Sequence, residues 1–321
     1  MMNKKMKILL IVAGSLALVG SVIFCCVLMA VNWDFTKLST SHLVTNTYDI
    51  TGDIKNISIS VTTADVAIVH TEDGKCRVVC LEWDNEKHEV ASVDGNLSVS
   101  YNDTRKWYEH IGITHGQSKI TVFLPKGAYG NLVVSSHTGD VEIAKEKIFE
   151  GISVSGSTCD VRNEASASGA IKIKVSTGDV YMENISAGWL DVAVSTGEIK
   201  VSNINCNGEI VSKVSTGKSY FTNANCTNLN SAGSTGEITL TNVVASGKIS
   251  IERSTGDVKL DGVDAGELLI KTDTGDVTGN LLTEKIFITK TSTGDVDVPK
   301  TTTGGKCEIT TSTGDIKIKV Q

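Results

Sequence analysis

The chain has 321 residues, of which 40% are apolar, with 30 glycines and only 2 prolines, a composition typical of a folded protein. The formal net charge is −7, and residues 1–31 hold three lysines and no carboxylate, which leaves 27 basic and 37 acidic residues in the remainder. This acidic remainder argues against nucleic acid as a partner and against charge-driven binding to anionic lipid head groups.

The first predicted element is a transmembrane helix at residues 8–31, a stretch of 24 positions without a charge. A stretch of that length can cross a hydrocarbon layer of about 30 Å. Three lysines precede it, so the positive-inside rule places residues 1–7 in the cytoplasm and everything after Trp33 outside. A cleaved signal peptide is the alternative, but the apolar run is long for one. We therefore expect an uncleaved signal anchor and a single-pass protein of the cell membrane, with its folded region extracytoplasmic.

Residues 32–45 are expected to form a short polar stalk, and the folded region is expected at 46–321. Inside it, residues 70–118 interrupt the repeat pattern described below. Such an irregular insertion either forms a binding loop or folds as a hairpin extension that caps the N-terminal end of the repeat. The candidate contact residues of a binding loop are Trp83, Trp107 and Tyr108.

The main feature of the sequence is a Ser-Thr-Gly-Asp signal that returns every 19 or 20 residues. A period this regular indicates a stacked repeat architecture. The threonines of the signal are Thr138, Thr158, Thr177, Thr196, Thr216, Thr235, Thr255, Thr274, Thr293 and Thr313. Residues 57–68 match the same pattern and predict a further coil, whereas Thr51-Gly52-Asp53 is out of phase and is interpreted as coincidence.

Apolar residues alternate with polar ones on both sides of each turn. Ile171 and Ile173 precede Thr177, and Val180 and Met182 follow it. This alternation is typical of half-buried strands, and a unit with two short strands buries its apolar face only by stacking on its neighbours. The sequence therefore predicts an all-β fold, a parallel β-helix or β-solenoid of 19–20-residue coils, preceded by one N-terminal transmembrane helix.

The turn signal predicts its own geometry. Glycine supplies a positive φ, and the Ser, Thr and Asp side chains can bond nearby backbone N–H groups. Three representative turns are formed by Thr177, Gly178, Asp179, Thr255, Gly256, Asp257, Thr293, Gly294 and Asp295. A second corner falls seven residues after the threonine, where residues that tolerate the left-handed region recur and stacked asparagines can bond along the rod. Its residues are Asn184, Asn203, Asn223, Asn242 and Gly262.

The motifs Val61-Thr62-Thr63-Ala64-Asp65-Val66 and Phe123-Leu124-Pro125, followed by the Thr-Gly-Asp coils, resemble a known family. The chain is similar to bacterial β-strand-repeat proteins of unknown function that carry the label "putative adhesin". The resemblance covers about residues 46–321 and implies a membrane anchor placed ahead of a solenoid. It implies no catalytic residue.

The residue after each turn glycine is usually a carboxylate, and stacked carboxylates suggest two interpretations. They can bind Ca²⁺, which takes six to eight oxygen ligands, or they can form a hydrogen-bonded ladder along the turns. The ladder is favoured because Lys218 relieves the charge repulsion within the row. The calcium candidates are Asp257, Asp276, Asp295 and Asp315. No catalytic or cofactor-binding residue and no cofactor are predicted.

Histidine and cysteine give no metal-ligand spacing. A surface role is expected for His42, His70, His88, His110, His115 and His137. Cys206 and Cys226 both lie ten residues after a turn threonine and should be neighbours in adjacent coils. They either form a disulfide or serve as small inward side chains, as alanine does at that position in other coils.

The sequence thus predicts an adhesin-like structural or binding module that is not an enzyme. Its expected partners are the membrane, through one helix, and a surface glycan or protein. An envelope sensor or scaffold is the alternative, and a β-helix polysaccharide-active enzyme or an ice-binding rod fits less well because one carboxylate or threonine per coil gathers no site. At the C-terminal end, Lys317 and Lys319 are expected to face outward and to block strand pairing at an open final coil.

Overall fold

A computed structural model describes residues 3–34, 37, 41–103, 105, 116–145 and 148–321. Within these residues, one helix, α1 (Lys4–Ala30), is long and apolar enough to be either a membrane anchor or a signal sequence. The remaining elements are strands, and the all-β fold class is confirmed.

The strands before the regular repeat are β1 (Leu43–Ile50), β2 (Asn56–Val61), β3 (Asp65–His70), β4 (Cys76–Trp83), β5 (Lys87–Val93), β6 (Asn96–Asn102) and β7 (Lys119–Leu124). The strands of the repeat are β8 (Ala128–Ser136), β9 (Val141–Ile143), β10 (Ile148–Thr158), β11 (Val161–Asn163), β12 (Ser166–Thr177), β13 (Val180–Thr196), β14 (Ile199–Cys206), β15 (Glu209–Thr216), β16 (Ser219–Cys226), β17 (Asn228–Thr235), β18 (Ile238–Thr255), β19 (Val258–Thr274), β20 (Val277–Leu281), β21 (Lys285–Lys290), β22 (Val296–Asp297), β23 (Gly305–Thr313) and β24 (Ile316–Val320).

Successive coils pair in parallel with a constant register. We call the strand residues before each Ser-Thr-Gly turn the first wall and those after it the second wall. In the first wall Ile171 lies opposite Leu190 of the next coil, and in the second wall Val180 lies opposite Ile199. The inward residues of both walls form one continuous buried core along the rod. The predicted β-solenoid is therefore confirmed.

The asparagine corner behaves as its residue types predict. Asn184, Asn203, Asn223 and Asn242 have φ between 51° and 55°, and Gly262 has φ 63°. The side-chain amide of each later asparagine donates to the Oδ1 atom of the one before it, over 2.9 to 3.1 Å. A row of amide hydrogen bonds therefore runs along this edge of the rod.

The cysteine position is filled by small buried side chains. Cys206 lies opposite Ala187 and Cys226 opposite Ala245, and all four are buried. Both thiols are free, and burial raises the pKa of Cys226 to about 12, so the reactive thiolate is disfavoured at neutral pH. The structure favours inward packing over the disulfide.

The N-terminal end departs from the sequence prediction. Strand β6 pairs in parallel with β2, and β7 pairs in parallel with β3, so these two strands form a further coil outside β2 and β3. Strands β5 and β4 then run antiparallel to β6 and β7, and β1 runs antiparallel to β4. The prediction that residues 70–118 interrupt the coils is wrong for β6. Its inward Leu97 and Val99 are buried like those of any other coil.

The C-terminal end overturns a second expectation. Strand β24 pairs with β20 on one side and with β22 on the other, and β23 likewise lies between β19 and β21. The coil of β21 and β22 is therefore outermost, and Lys317 and Lys319 do not line an open end. The physical reason is burial, because Ile309, Ile316 and Ile318 of the inserted coil are buried. The outermost coil offers Thr289 at the position opposite Ile309.

Candidate functional site

The turn carboxylates form a ladder with the backbone. The ladder has two runs of consecutive turns, one toward each end of the solenoid. In each run the Oδ1 atom of one aspartate accepts a hydrogen bond from the backbone N–H of the matching residue in the next coil, over 2.8 to 3.0 Å. The acceptors are Asp65, Asp140, Asp160, Asp179, Asp257, Asp276 and Asp315. The N–H of Asp295 and the ammonium of Lys317 hold the pKa of Asp315 below its usual value. These carboxylates are thus anionic acceptors that tie coil to coil.

The turn glycines have the backbone conformation that this ladder needs. Gly178, Gly256 and Gly294 have φ of 138°, 143° and 144°, a region that side chains disfavour. A Cβ atom built on Gly256 would also overlap the carbonyl oxygen of Gly236 in the preceding coil. Glycine therefore permits both the positive φ and the close stacking of successive turns.

The four calcium candidates stack in the order Asp257, Asp276, Asp315 and Asp295, because β24 is inserted between β20 and β22. Within the described ranges, no three His, Cys, Asp or Glu side chains gather to hold a metal ion. Calcium binding therefore stays a hypothesis that the ladder does not favour.

Millimolar Ca²⁺ is expected to leave the melting temperature of the protein nearly unchanged. One oxygen of each ladder carboxylate already accepts a backbone hydrogen bond, whereas Ca²⁺ takes six to eight oxygen ligands. The measurement is thermal unfolding of the full chain in detergent with Ca²⁺, with Mg²⁺ and with chelator. An increase of about 10 °C specific to Ca²⁺ would show that the aspartates bind it.

The predicted binding loop is only partly described. Trp107 and Tyr108 lie outside the described residues, so their role stays a prediction. Trp83 ends β4, faces Leu43 of β1 and is only 6% exposed, which makes it a packing residue of the N-terminal strands. Its assignment as a ligand contact is therefore corrected.

The surface role expected for His88 is also wrong. This residue is buried on β5, where its Nδ1 atom lies 2.8 Å from Glu82 Oε2. The same oxygen accepts the backbone N–H of His88, and Asn46 donates to the other oxygen of Glu82. The contacts hold the antiparallel strands together, as expected of a buried carboxylate whose oxygens are satisfied.

A row of cations and tyrosines crosses the outer face of the second wall. Arg162, Tyr181, Lys200 and Tyr220 occupy matching positions in four consecutive coils. The Arg162 guanidinium and the Lys200 ammonium each lie 5.3 Å from the Tyr181 ring centre, and Lys200 lies 5.7 Å from the Tyr220 ring. We call these four residues the tyrosine ladder.

Neighbouring carboxylates set the charge of the tyrosine ladder. Tyr181 donates its hydroxyl to Asp179 Oδ2 over 2.9 Å, and this hydrogen bond raises the pKa of Tyr181. The Lys200 ammonium lies 2.6 Å from Glu198, whose carboxylate raises the pKa of Lys200. The rings are therefore held in place on a surface where cations are largely compensated. A shallow depression of about 180 Å³ lies between Arg162 and Lys200.

The first wall carries a polar groove beside the turns. Its wider part, of about 560 Å³, runs along the serines that precede the turn threonines and is flanked by Lys174 and Lys213. A second part, of about 310 Å³, continues from Lys213 and Ser215 to Lys271. At one end His137 Nδ1 lies 3.2 Å from the Ser157 hydroxyl. We call the two parts together the serine groove.

Sequence reasoning did not identify the tyrosine ladder, although the repeat contains the signal for it. All four residues lie four positions after a turn threonine, so aligning the coils on their threonines places them in one column. Outward residues at the same place in a parallel stack must be neighbours about 4.8 Å apart. The ladder is a candidate recognition surface, since tyrosine and arginine are enriched among residues that dominate binding energy.

Comparison with known proteins gives a family match. A family model described as Toastrack DUF4097 matches residues 54–214 and residues 207–321. No curated protein matches the chain.

Several solved structures are similar in architecture. A "putative adhesin" from Bacteroides fragilis is 17% identical with a TM-score of 0.38, over 87% of this chain and 97% of that one. A "putative adhesin" from Parabacteroides distasonis is 12% identical with a TM-score of 0.47, over 87% and 98%. A "putative lipid binding protein" from the same species is 16% identical with a TM-score of 0.34, over 86% and 97%. Likeness at this level concerns the fold alone.

Proposed function

The chain belongs to the Toastrack DUF4097 family, and from that premise we propose that it is an adhesin-like binding module held at the cell membrane by α1. In this proposal the three lysines at the N-terminal end of α1 keep the N-terminus in the cytoplasm, and the solenoid lies outside. The helix carries no acidic or basic residue from position 8 onward, which supports its role as an anchor.

The observation that carries the binding function is the tyrosine ladder. Its four side chains project from consecutive coils of a rigid sheet, so their spacing is fixed before any ligand arrives. Preorganised aromatic side chains lose little conformational entropy on binding, which favours affinity. The flat outer wall suits a ligand that lies along several coils at once.

The chemistry of the ladder favours a glycan as the ligand. Tyrosine offers an apolar ring with a polar edge, which can contact both the ring face and the hydroxyls of a sugar. The positive charges of the ladder, on Arg162 and Lys200, lie beside the carboxylates of Asp179, Glu198, Glu164 and Glu183, so this surface has no net positive charge. This supports a neutral saccharide over a polyanion.

A binding role is proposed rather than catalysis because the turn carboxylates, one per coil, accept backbone hydrogen bonds from the next coil. Glycoside hydrolysis needs two carboxylates that flank one bond at a set distance. Beside the ladder, the carboxylates of Asp179 and Glu198 are engaged with Tyr181 and Lys200 instead.

Removing the two rings is expected to weaken glycan binding at least tenfold. The test variant is Tyr181→Ala with Tyr220→Ala, and the matched control is Thr239→Ala with Thr278→Ala, at the same position in later coils of the same wall. Losing two aromatic contacts of about 1 kcal/mol each accounts for a tenfold or larger change. Full-length protein in nanodiscs would be tested against immobilised mannan, dextran and chitin oligosaccharides.

Both variants should keep the parent melting temperature, since the substituted side chains face outward. Equal glycan binding by the tyrosine variant and the control would refute the ladder as the site. If none of the three glycans binds but a purified envelope protein of the same membrane does, and the tyrosine variant loses that binding, the scaffold function replaces the glycan-binding one.

A further inference from the structure

An arginine lies inside the solenoid where other coils hold valine. Arg253 occupies the inward position that Val175, Val194 and Val214 occupy in earlier coils, and it is only 3% exposed. Burial of a guanidinium among apolar residues is costly unless the charge is paired. A charged residue at this position therefore needs a physical explanation.

The residues around Arg253 are altered to receive it. In the adjacent coil the matching inward residue is Gly233, and a Cβ atom there would overlap a terminal guanidinium nitrogen of Arg253. The other terminal nitrogen, Nη2, donates to Ser231 Oγ over 3.0 Å and to Ser219 Oγ over 3.3 Å. The guanidinium thus fills the space left by the missing side chain of Gly233.

Serine replaces branched apolar residues at three inward positions nearby. Ser212 and Ser231 are in register with Val192 and Ile251, and Ser219 is in register with Ile199 and Ile238. All three serines are buried. The first wall, through Ser212 and Ser231, and the second wall, through Ser219, therefore both place hydroxyl groups in this part of the core.

Around Arg253, buried hydrogen-bond donors outnumber the acceptors that could satisfy them. Arg253 Nε and Ser212 Oγ are buried and make no hydrogen bond within the described part of the chain. No carboxylate of the described residues forms an ion pair with Arg253. Nη1 has a single, long contact of 3.5 Å to the carbonyl oxygen of Glu252. Burial lowers the pKa of Arg253 to about 10, so the side chain is still cationic at neutral pH.

The buried cation is within reach of the surface. The 310 Å³ part of the serine groove has Arg253 and Gly233 among its lining residues, so Arg253 borders the groove. Lys213 and Lys271 stand on its rim with Glu252 and Asp273. Lys271 lies 3.5 Å from Glu252, which compensates part of the negative charge there.

We propose that the Arg253 guanidinium forms a binding site for one small anion, a halide or a single carboxylate or phosphate group, at the floor of the serine groove. Such an anion accepts hydrogen bonds from the guanidinium, whose Nε has no other partner among the described residues, and neutralises the buried charge. Charge-assisted hydrogen bonds are about twice as strong as neutral ones, and the low local dielectric strengthens them further. The site is independent of the tyrosine ladder, which lies on the second wall.

The site is tested by the effect of anions on the stability of the full chain in detergent. Melting temperatures would be measured at constant ionic strength in sodium methanesulfonate, whose anion is neither a halide nor a carboxylate nor a phosphate, and then with chloride, bromide, acetate or inorganic phosphate in its place. The parent protein is expected to gain about 3 °C or more with at least one of these anions. Arg253→Met should lose that gain, whereas Lys259→Met, which removes an exposed cation from the second wall of the same coil, should keep it.

The pattern of responses identifies the ligand. A gain with chloride and bromide alone assigns a halide site, and a gain with acetate or phosphate assigns the anionic group of a larger ligand. An equal anion response in the parent and in Arg253→Met overturns the proposal. If Arg253→Met does not fold, Arg253→Lys, which keeps the charge but lacks the planar set of donors, replaces it, and an apparent anion affinity unchanged from the parent overturns the proposal. In crystals soaked in bromide, an anomalous peak beside Arg253 Nε is the expected result.

Discussion

Replacing Gly256 with valine is expected to destabilise the solenoid by about 3 kcal/mol or more. Two separate effects add at this position. A β-branched residue resists the φ of 143°, and its Cβ would overlap the carbonyl oxygen of Gly236, so two stacked turns would have to separate. The measurement is chemical unfolding of the parent and the variant, compared by midpoint and slope.

Gly52→Val is the matched control for this prediction. Gly52 lies in the out-of-phase Thr51-Gly52-Asp53 and has a positive φ of 94°, and no heavy atom lies within 4 Å of the position that a Cβ atom would take there. Its substitution therefore reports the cost of the backbone conformation without the cost of crowding. A destabilisation at Gly256 no larger than that at Gly52 would show that turn stacking contributes nothing.

Ile309→Ala is expected to destabilise the C-terminal end by about 2–5 kcal/mol, more than Phe287→Ala does. Ile309 is fully buried between two coils, whereas Phe287 belongs to the outermost coil and is only partly buried. If the coils were stacked in the order of the chain, Phe287 would be enclosed and Ile309 would lie at the open end. The ranking of the two variants therefore tests the inserted position of β23.

Unfolding of both variants would be followed by denaturant titration and by hydrogen exchange of β21 and β23. The structure predicts that amides of β23 are better protected than those of β21, because β23 is paired on both sides. Equal destabilisation, or a larger effect at Phe287, would contradict the observed strand order.

The regular part of the fold follows from local sequence. The period of 19–20 residues, the alternation around Thr177 and the asparagines at the second corner each act within one coil or between identical positions of two coils. Positive φ at Asn184 and at Gly178 was predictable because few residue types tolerate it. The small, inward-facing side chains of Cys206 and Cys226 could also be predicted, because a repeat places similar residues in similar surroundings.

The tyrosine ladder could have been predicted from the sequence alone, whereas the arginine site could not. Arg162, Tyr181, Lys200 and Tyr220 share one repeat position, so register alone makes them neighbours. Arg253 instead meets Ser219, which lies on the other wall and two coils away. Contacts across the core depend on side-chain direction and on the space left by Gly233, which a repeat alignment does not contain.

Only the tertiary structure decided the order of coils at the two ends. Every coil presents the same backbone hydrogen-bonding edge, so backbone pairing alone does not distinguish chain-order stacking from the insertion of β2 and β3 or of β23 and β24. The stacking order depends on which coil is stabilised most by burying its apolar side chains on both faces. The coil with Ile309 and Ile316 is stabilised more than the coil with Thr289. The burial of Trp83 and His88 has the same origin, because the antiparallel strands that cover them are brought together only by that long-range pairing.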